Sequence, residues 1–224
     1  PLAYTFDVTT RWPLSLVGVL SLLTGGMLVA LLLGLAVGGG ADPLLLVDPG
    51  DAVRYGIPTA KALVHVGAAL AVGSLMMAAF ALSPRDPGFD VSLVVAAIGA
   101  ALMTLASAAS AFFTFLAIYL EPVALTQQFG DILWLFVLET EIGRAWLIST
   151  MLSATVTVLA LLVRSHTGVF FAGLVAVASL WPLAELGHAA GHEAAVSASF
   201  THSVFAAMWV GGLAIVAIIG WMSP

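Results

Sequence analysis

Apolar residues run along this chain in blocks of about twenty, and the stretches between them hold Gly, Pro and most of the charge. At a rise of 1.5 Å per residue, a helical block of that length crosses a hydrocarbon core about 30 Å thick. Residues 14–37 are the first such block, 24 residues without a charge. The second is 59–82, with Lys61 close enough to its start to snorkel. The third, 91–120, is overlong for a perpendicular crossing and is expected to tilt or protrude. Blocks four to six are 142–163, 169–186 and 201–221. Backbone polar groups in lipid must pair internally, and no two-residue alternation marks a barrel. The pattern therefore predicts an all-α, polytopic transmembrane helical bundle of about six spans.

The connections carry further detail. Residues 38–58 mix Gly, Pro and Asp and read as a loop with one apolar patch at 44–47. The sequence DILWLFVLET, 131–140, is too short to span and apolar enough to lie at the interface or tuck into the bundle. RSHT, 164–167, is so short that the helices on either side should be antiparallel neighbours. The chain divides into N-terminal membrane helices, 1–140, and C-terminal membrane helices, 141–224.

Composition sharpens the class. Hydrophobic residues make up 62% of the chain and charged residues 8%, against roughly 25% charged in a soluble domain. A net charge of −6 offers no basic patch for nucleic acid. Cysteine is absent, which removes disulfides, thiolate metal sites and thiol catalysis, so any metal must use His, Met or carboxylate. No signal peptide is expected, because no basic segment and cleavage site precede the first span. Walker, dinucleotide, HEXXH and Ser/His/Asp patterns are missing, and no turnover chemistry or ATP-driven pumping is expected.

Orientation is balanced by charge: Arg54, Lys61 and Arg144 fall on one side, and Arg11, Arg85 and Arg164 on the other. The loops on the Arg11 side are short, while those opposite are longer and hold most of the acidic residues. That asymmetry places both termini in the cytoplasm and four of the five histidines outside.

Those four are the candidates for chemistry. His65 opens the second span in this reading, His188 and His192 follow the fifth, and His202 opens the sixth. Trp181, Glu185, His188 and His192 fall at offsets 0, 4, 7 and 11, one stripe if the helix continues past Gly187. Paired imidazoles at i, i+4 can hold one metal ion and suit copper, zinc, iron or nickel. The competing reading is a helix broken at Gly187 and Gly191, with His192 and Glu193 in a solvated loop. Glu185 is either an interfacial carboxylate or a functional one, since ionisable groups inside membrane segments are costly. His202, Phe205 and Trp209 share a face, either a ligand above two aromatics or an interfacial His with packing beneath it. Met76 lies 11 residues after His65 in nearly the same helical direction, a thioether for a soft metal or a gap-filling side chain. Arg144 either snorkels or pairs with Glu139, Glu141 or Glu185.

Three segments carry a resemblance: EIGRAWL with Gly143, Arg144 and Trp146; ELGHAAGHE with Gly187, His188 and Ala189; and THSVFAAMWVGGL with His202, Trp209, Gly211, Gly212 and Leu213. In this order, over about the last 84 residues, they resemble the CopD, or copper resistance D, family. The resemblance implies a multi-pass protein of the cell (inner) membrane, concerned with copper uptake, tolerance or delivery to an oxidase. It also implies copper ion as the metal, and outward-facing histidines as its ligands. A partner of CtaG-like or cytochrome oxidase assembly type, either separate or fused in the same protein, is the partner it implies besides the lipid bilayer. Two other readings stand beside it. One is a b-type haem electron-transfer protein with His65 and His202, or His188 and His202, as axial ligands. The other is a structural or assembly subunit of a respiratory complex.

Overall fold

The computed structural model describes residues 14–43, 48–119, 123–124, 126–186 and 191–222. These form α1 (Leu14–Val37), α2 (Asp51–Phe80), α3 (Pro87–Ile118), α4 (Gln127–Glu139), α5 (Glu141–Leu162), α6 (His166–Ala178), α7 (Trp181–Ala184) and α8 (Glu193–Met222). No strand occurs among the described residues. Among the described residues, five helical units are long and apolar enough to cross a membrane: α2, α3, α5, α6 with α7, and α8. Helix α1 coincides with the first expected span and packs chiefly on α2. The protein is thus a polytopic helical membrane bundle.

Two helices begin eight residues earlier than the hydropathy blocks indicate. Helix α2 starts at Asp51 and runs through Pro58. A proline inside a helix costs one backbone hydrogen bond, and that cost normally marks a boundary. Here the first turn is secured by Arg54, which pairs with both Asp48 and Asp51, and Asp51 complements the positive helix end. Helix α8 starts at Glu193, where the His192 carbonyl accepts the Ala195 and Val196 amides, and the polar stretch 193–200 is helical. The fifth span, in turn, breaks after Ala178. Pro182 has no N–H to offer the Ala178 carbonyl, and Ser179 Oγ donates to the Ala176 carbonyl at 2.6 Å while Leu180 N donates to the Val177 carbonyl.

Glycines set how closely the helices approach. A Cβ on Gly67 would lie 2.7 Å from the Gly99 carbonyl oxygen, and one on Gly73 would lie 2.3 Å from the Gly211 carbonyl carbon. Small residues at such crossings are how membrane helices gain packing without a hydrophobic driving force. Helices α2 and α3 are antiparallel neighbours, α5 packs on α3, and α8 runs parallel to α2 on its other flank, with Ile219 beside Gly88. The main core, including Val72, Leu75, Leu93, Met103, Trp146, Val156 and Ala172, joins α2, α3, α5 and α6.

This arrangement gathers the start of α2, the end of α3, α4, the start of α5, α7 and the start of α8 at one end, the mouth end. Helix α4 contains the segment expected at 131–140. It tucks onto the end of α3, where Phe129 and Phe136 close on Phe115 at ring distances of 5.5 and 5.6 Å, while Trp134 and Leu135 stay exposed. At the opposite end, His166 Nδ1 lies 3.3 Å from the Ala79 carbonyl, and Arg164 lies 3.8 Å from Asp90.

Candidate functional site

Two polar-walled cavities open at the mouth end, beside an apolar one of about 420 Å³ between α2 and α3 that is lined by Tyr55, Leu63, Leu102 and Phe113. The larger, about 1180 Å³, lies between α5, α6, α7 and the start of α8, and its polar wall is Glu141, Arg144, Trp181, Glu185, His192 and Glu193. The smaller, about 340 Å³, lies between α2, α3, α5 and α7, and is lined by Lys61, His65, Thr114, Ile142, Trp146 and Leu183. Both share the Leu186 wall.

The α4–α5 corner positions the larger cavity. Thr140 joins the helices through two bonds: its hydroxyl donates to the Phe136 carbonyl at 2.7 Å and accepts the Gly143 amide at 3.0 Å. This is an N-cap. Gly143 sits so close to α4 that a Cβ there would meet the Phe136 carbonyl oxygen at 2.1 Å. The guanidinium of Arg144 reaches back to the Leu138 carbonyl at 3.5 Å, and Trp146, 4% exposed, turns into the core. The Gly-Arg-x-Trp segment is therefore a corner, a cation on the cavity wall and a buried indole.

Of the two readings of Arg144, the ion pair is not formed: among the described residues it has no carboxylate within 4.0 Å, although Glu141 and Glu185 share its cavity. Glu185 is taken by another partner, accepting the Trp181 indole N–H at 2.9 Å.

Of the two readings of the stripe from Trp181 to His192, the described residues follow the broken helix. The stripe holds only for Trp181 and Glu185, because α7 ends at Ala184 and Gly191 adopts φ +92°, a left-handed conformation that suits glycine. His192 belongs to the start of the next helix and returns to the same cavity from there. His188, with Gly187 and Ala189, lies outside the described residues.

The remaining candidates separate. His65 is the fifteenth residue of α2 rather than the seventh of a span starting at 59, about 21 Å from the helix start, and lines the smaller cavity. Met76 packs into the core near Gly173 and is not part of that cavity's wall. His202 is the tenth residue of α8 and is exposed on the same stripe as Phe205 and Trp209, which are 64% and 72% exposed. The packed face of α8 is instead Ala207, Gly211, Ile215 and Ile218. His202 lines neither mouth-end cavity.

Among the described residues no three His, Asp or Glu side chains are grouped to hold a metal ion. What the mouth end offers is two separate polar walls, one with imidazole and carboxylates, the other with imidazole and ammonium. Sequence reasoning passed over Lys61 and Thr114 as cavity walls, since only the packing of α3 and α5 against α2 brings them beside His65.

The fold and its mouth-end polar cavities define a multi-pass helical membrane protein. Residues 50–199 match the family described as copper resistance protein D-like, N-terminal domain, and the chain belongs to that family. The match takes in α2 and α3, which the motif resemblance left aside, and stops before His202 and its Trp-x-Gly-Gly-Leu. No curated protein matches the chain, and no solved structure does.

Proposed function

We propose that this chain handles copper ion as cargo, taking it in at the mouth end on the outer face of the cell (inner) membrane and passing it inward or to a CtaG-like or oxidase-assembly acceptor, without turnover chemistry. The observation that carries this reading is the wall of His192, Glu141, Glu185 and Glu193 at one end of a bundle belonging to a copper resistance family. Imidazole suits copper, and the carboxylates beside it draw cations to the wall. Arg144 offsets part of the carboxylate charge, which suits transient capture and release. The haem reading with His65 and His202 as ligands receives no support from geometry, because His202 lies away from the cavity that His65 lines, and His188 of the other pair lies outside the described residues.

The test is copper accumulation in cells expressing the protein, with metal content of the purified protein alongside. His192→Ala, Glu185→Gln and His65→Ala are expected to lower copper severalfold at unchanged expression, while His166→Ala, at the opposite end, stays at the parental level. Parental copper in all three cavity variants would remove the cavities from the route. A Soret band at stoichiometric haem would replace the copper reading altogether.

A further inference from the structure

Ser107, Ser110 and Ser149 are fully buried, and their hydroxyls have no hydrogen-bond partner. Their neighbours behave differently. Ser92, Thr104, Thr150, Ser153, Thr155 and Thr157 each donate to the carbonyl four residues back, the usual arrangement within a helix. A buried hydroxyl that forgoes that bond calls for another partner, such as water or an ion. A fourth unpartnered hydroxyl, Ser74, is on α2.

The three are not scattered. On α3, Met103, Ser107, Ser110 and Thr114 stand at offsets 0, 4, 7 and 11, a single stripe, and Thr114 opens it into the His65 cavity. The Thr104–Ser153 hydrogen bond of 3.0 Å, together with Thr114, Ile142 and Trp146 in one cavity, sets α5 antiparallel to α3. In that register Ser149 is level with Ser107, and Trp146 with Ser110. By this register the three buried hydroxyls follow one another inward from the cavity along the α3–α5 side of the bundle. The series ends halfway along α3 at Met103, 2% exposed, whose sulfur lies 3.8 Å from Ser179 Oγ. Farther in, Ala96, Ala100, Val156 and Ala160 close the bundle with apolar side chains.

We propose that this series is a closed half-path for water and a soft monovalent cation, running from the His65 cavity to the Met103 thioether, with the Trp146 indole as its gate. Trp146 walls the cavity, is buried, and stands level with the first unpartnered hydroxyl. The hydroxyls have no exposed surface, so the path is shut in this structure. When the indole moves aside, water pairs the three hydroxyls and removes the cost of leaving them bare. A thioether at the end selects a soft ion such as copper(I) over hydrated hard cations. The identity of the cargo rests on the copper reading above; the path does not.

Because the chain has no cysteine, single cysteines report cleanly. Ser110→Cys, Ser107→Cys and, one turn past Met103, Ala100→Cys are treated in liposomes with a small, cationic, membrane-impermeant methanethiosulfonate. Both serine-derived thiols are expected to react severalfold faster than Ala100→Cys, and faster again when Trp146→Ala or the milder Trp146→Phe is added, with melting temperature confirming the fold. Serine-position thiols no faster than Ala100→Cys overturn the path, whatever the protein carries. Rates unchanged by both Trp146 substitutions overturn the gate. Silver(I) then serves as a redox-stable probe for the terminus: Met103→Leu is expected to lower bound silver severalfold without slowing Ser110→Cys labelling, and parental silver binding removes Met103 from the path.

Discussion

At Asp48 an exposed carboxylate contributes to the start of a membrane helix. It pairs with Arg54, whose hydrogen bond is the main cause holding the carboxyl below its usual range. A carboxyl with a lowered folded-state pKa stabilises the fold fully above its unfolded value of about 3.9, and that contribution disappears as pH falls through the lower folded value. Asp48→Asn is therefore expected to melt below the parent at neutral pH, with the difference shrinking as pH is lowered towards 3. A difference that stays constant over that range would show that the pair contributes nothing to the start of α2. Other single residues were only half legible in the sequence. The pattern Gly143, Arg144, Trp146 was visible, and the glycine and tryptophan have the steric roles such residues suggest. The partner of Arg144 was not visible, because Glu185 is claimed by Trp181 one turn away and the Leu138 carbonyl comes within reach only through the α4–α5 corner.

Among the elements, α2 and α8 show why one glycine of a pair matters and the other does not. The sequence Trp-Val-Gly-Gly-Leu presents Gly211 and Gly212 as equals. In the bundle, a Cβ on Gly211 would fall 1.8 Å from the Ala69 carbonyl oxygen, whereas one on Gly212 meets nothing within 4 Å. Adding a methyl to a closed contact typically costs about 1–3 kcal/mol, and alanine in open helical space gains slightly by propensity. Gly211→Ala is accordingly expected to lower the melting temperature in detergent, and Gly212→Ala to leave it unchanged or raise it. Equal effects from the two would contradict the close α2–α8 crossing. The spans themselves were readable because the apolar blocks are long. Their ends were not, since Pro58 and the polar run 193–200 look like breakers, and only ion pairing at Arg54 and the His192 carbonyl carry the helices through them. That misplacement moved His65 from the mouth of its helix to the middle.

For the whole molecule, the open question from charge alone is which end faces the cytoplasm, with three cations assigned to each side. Structure changes the weights. At the mouth end, Arg54 lies in the first turn of α2, Lys61 in its third and Arg144 in the first turn of α5, all within helices and two of them on cavity walls. At the other end, Arg85 lies in the short connection from α2 to α3 and Arg164 in that from α5 to α6, where the positive-inside bias acts most directly. Acidic residues reinforce the asymmetry, since Glu141, Glu185 and Glu193 converge on the larger mouth-end cavity and would draw cations to it from outside. A reporter fused after Ser165 is therefore expected to read as cytoplasmic, and one inserted at Gly191 as extracytoplasmic. The two sites bracket α6 and α7, so they must give opposite answers if that unit spans. Opposite answers in the reverse sense would turn both polar cavities towards the cytoplasm and make the proposed hydroxyl path an exit rather than an entrance, while the same answer at both sites would mean that α6 and α7 do not cross.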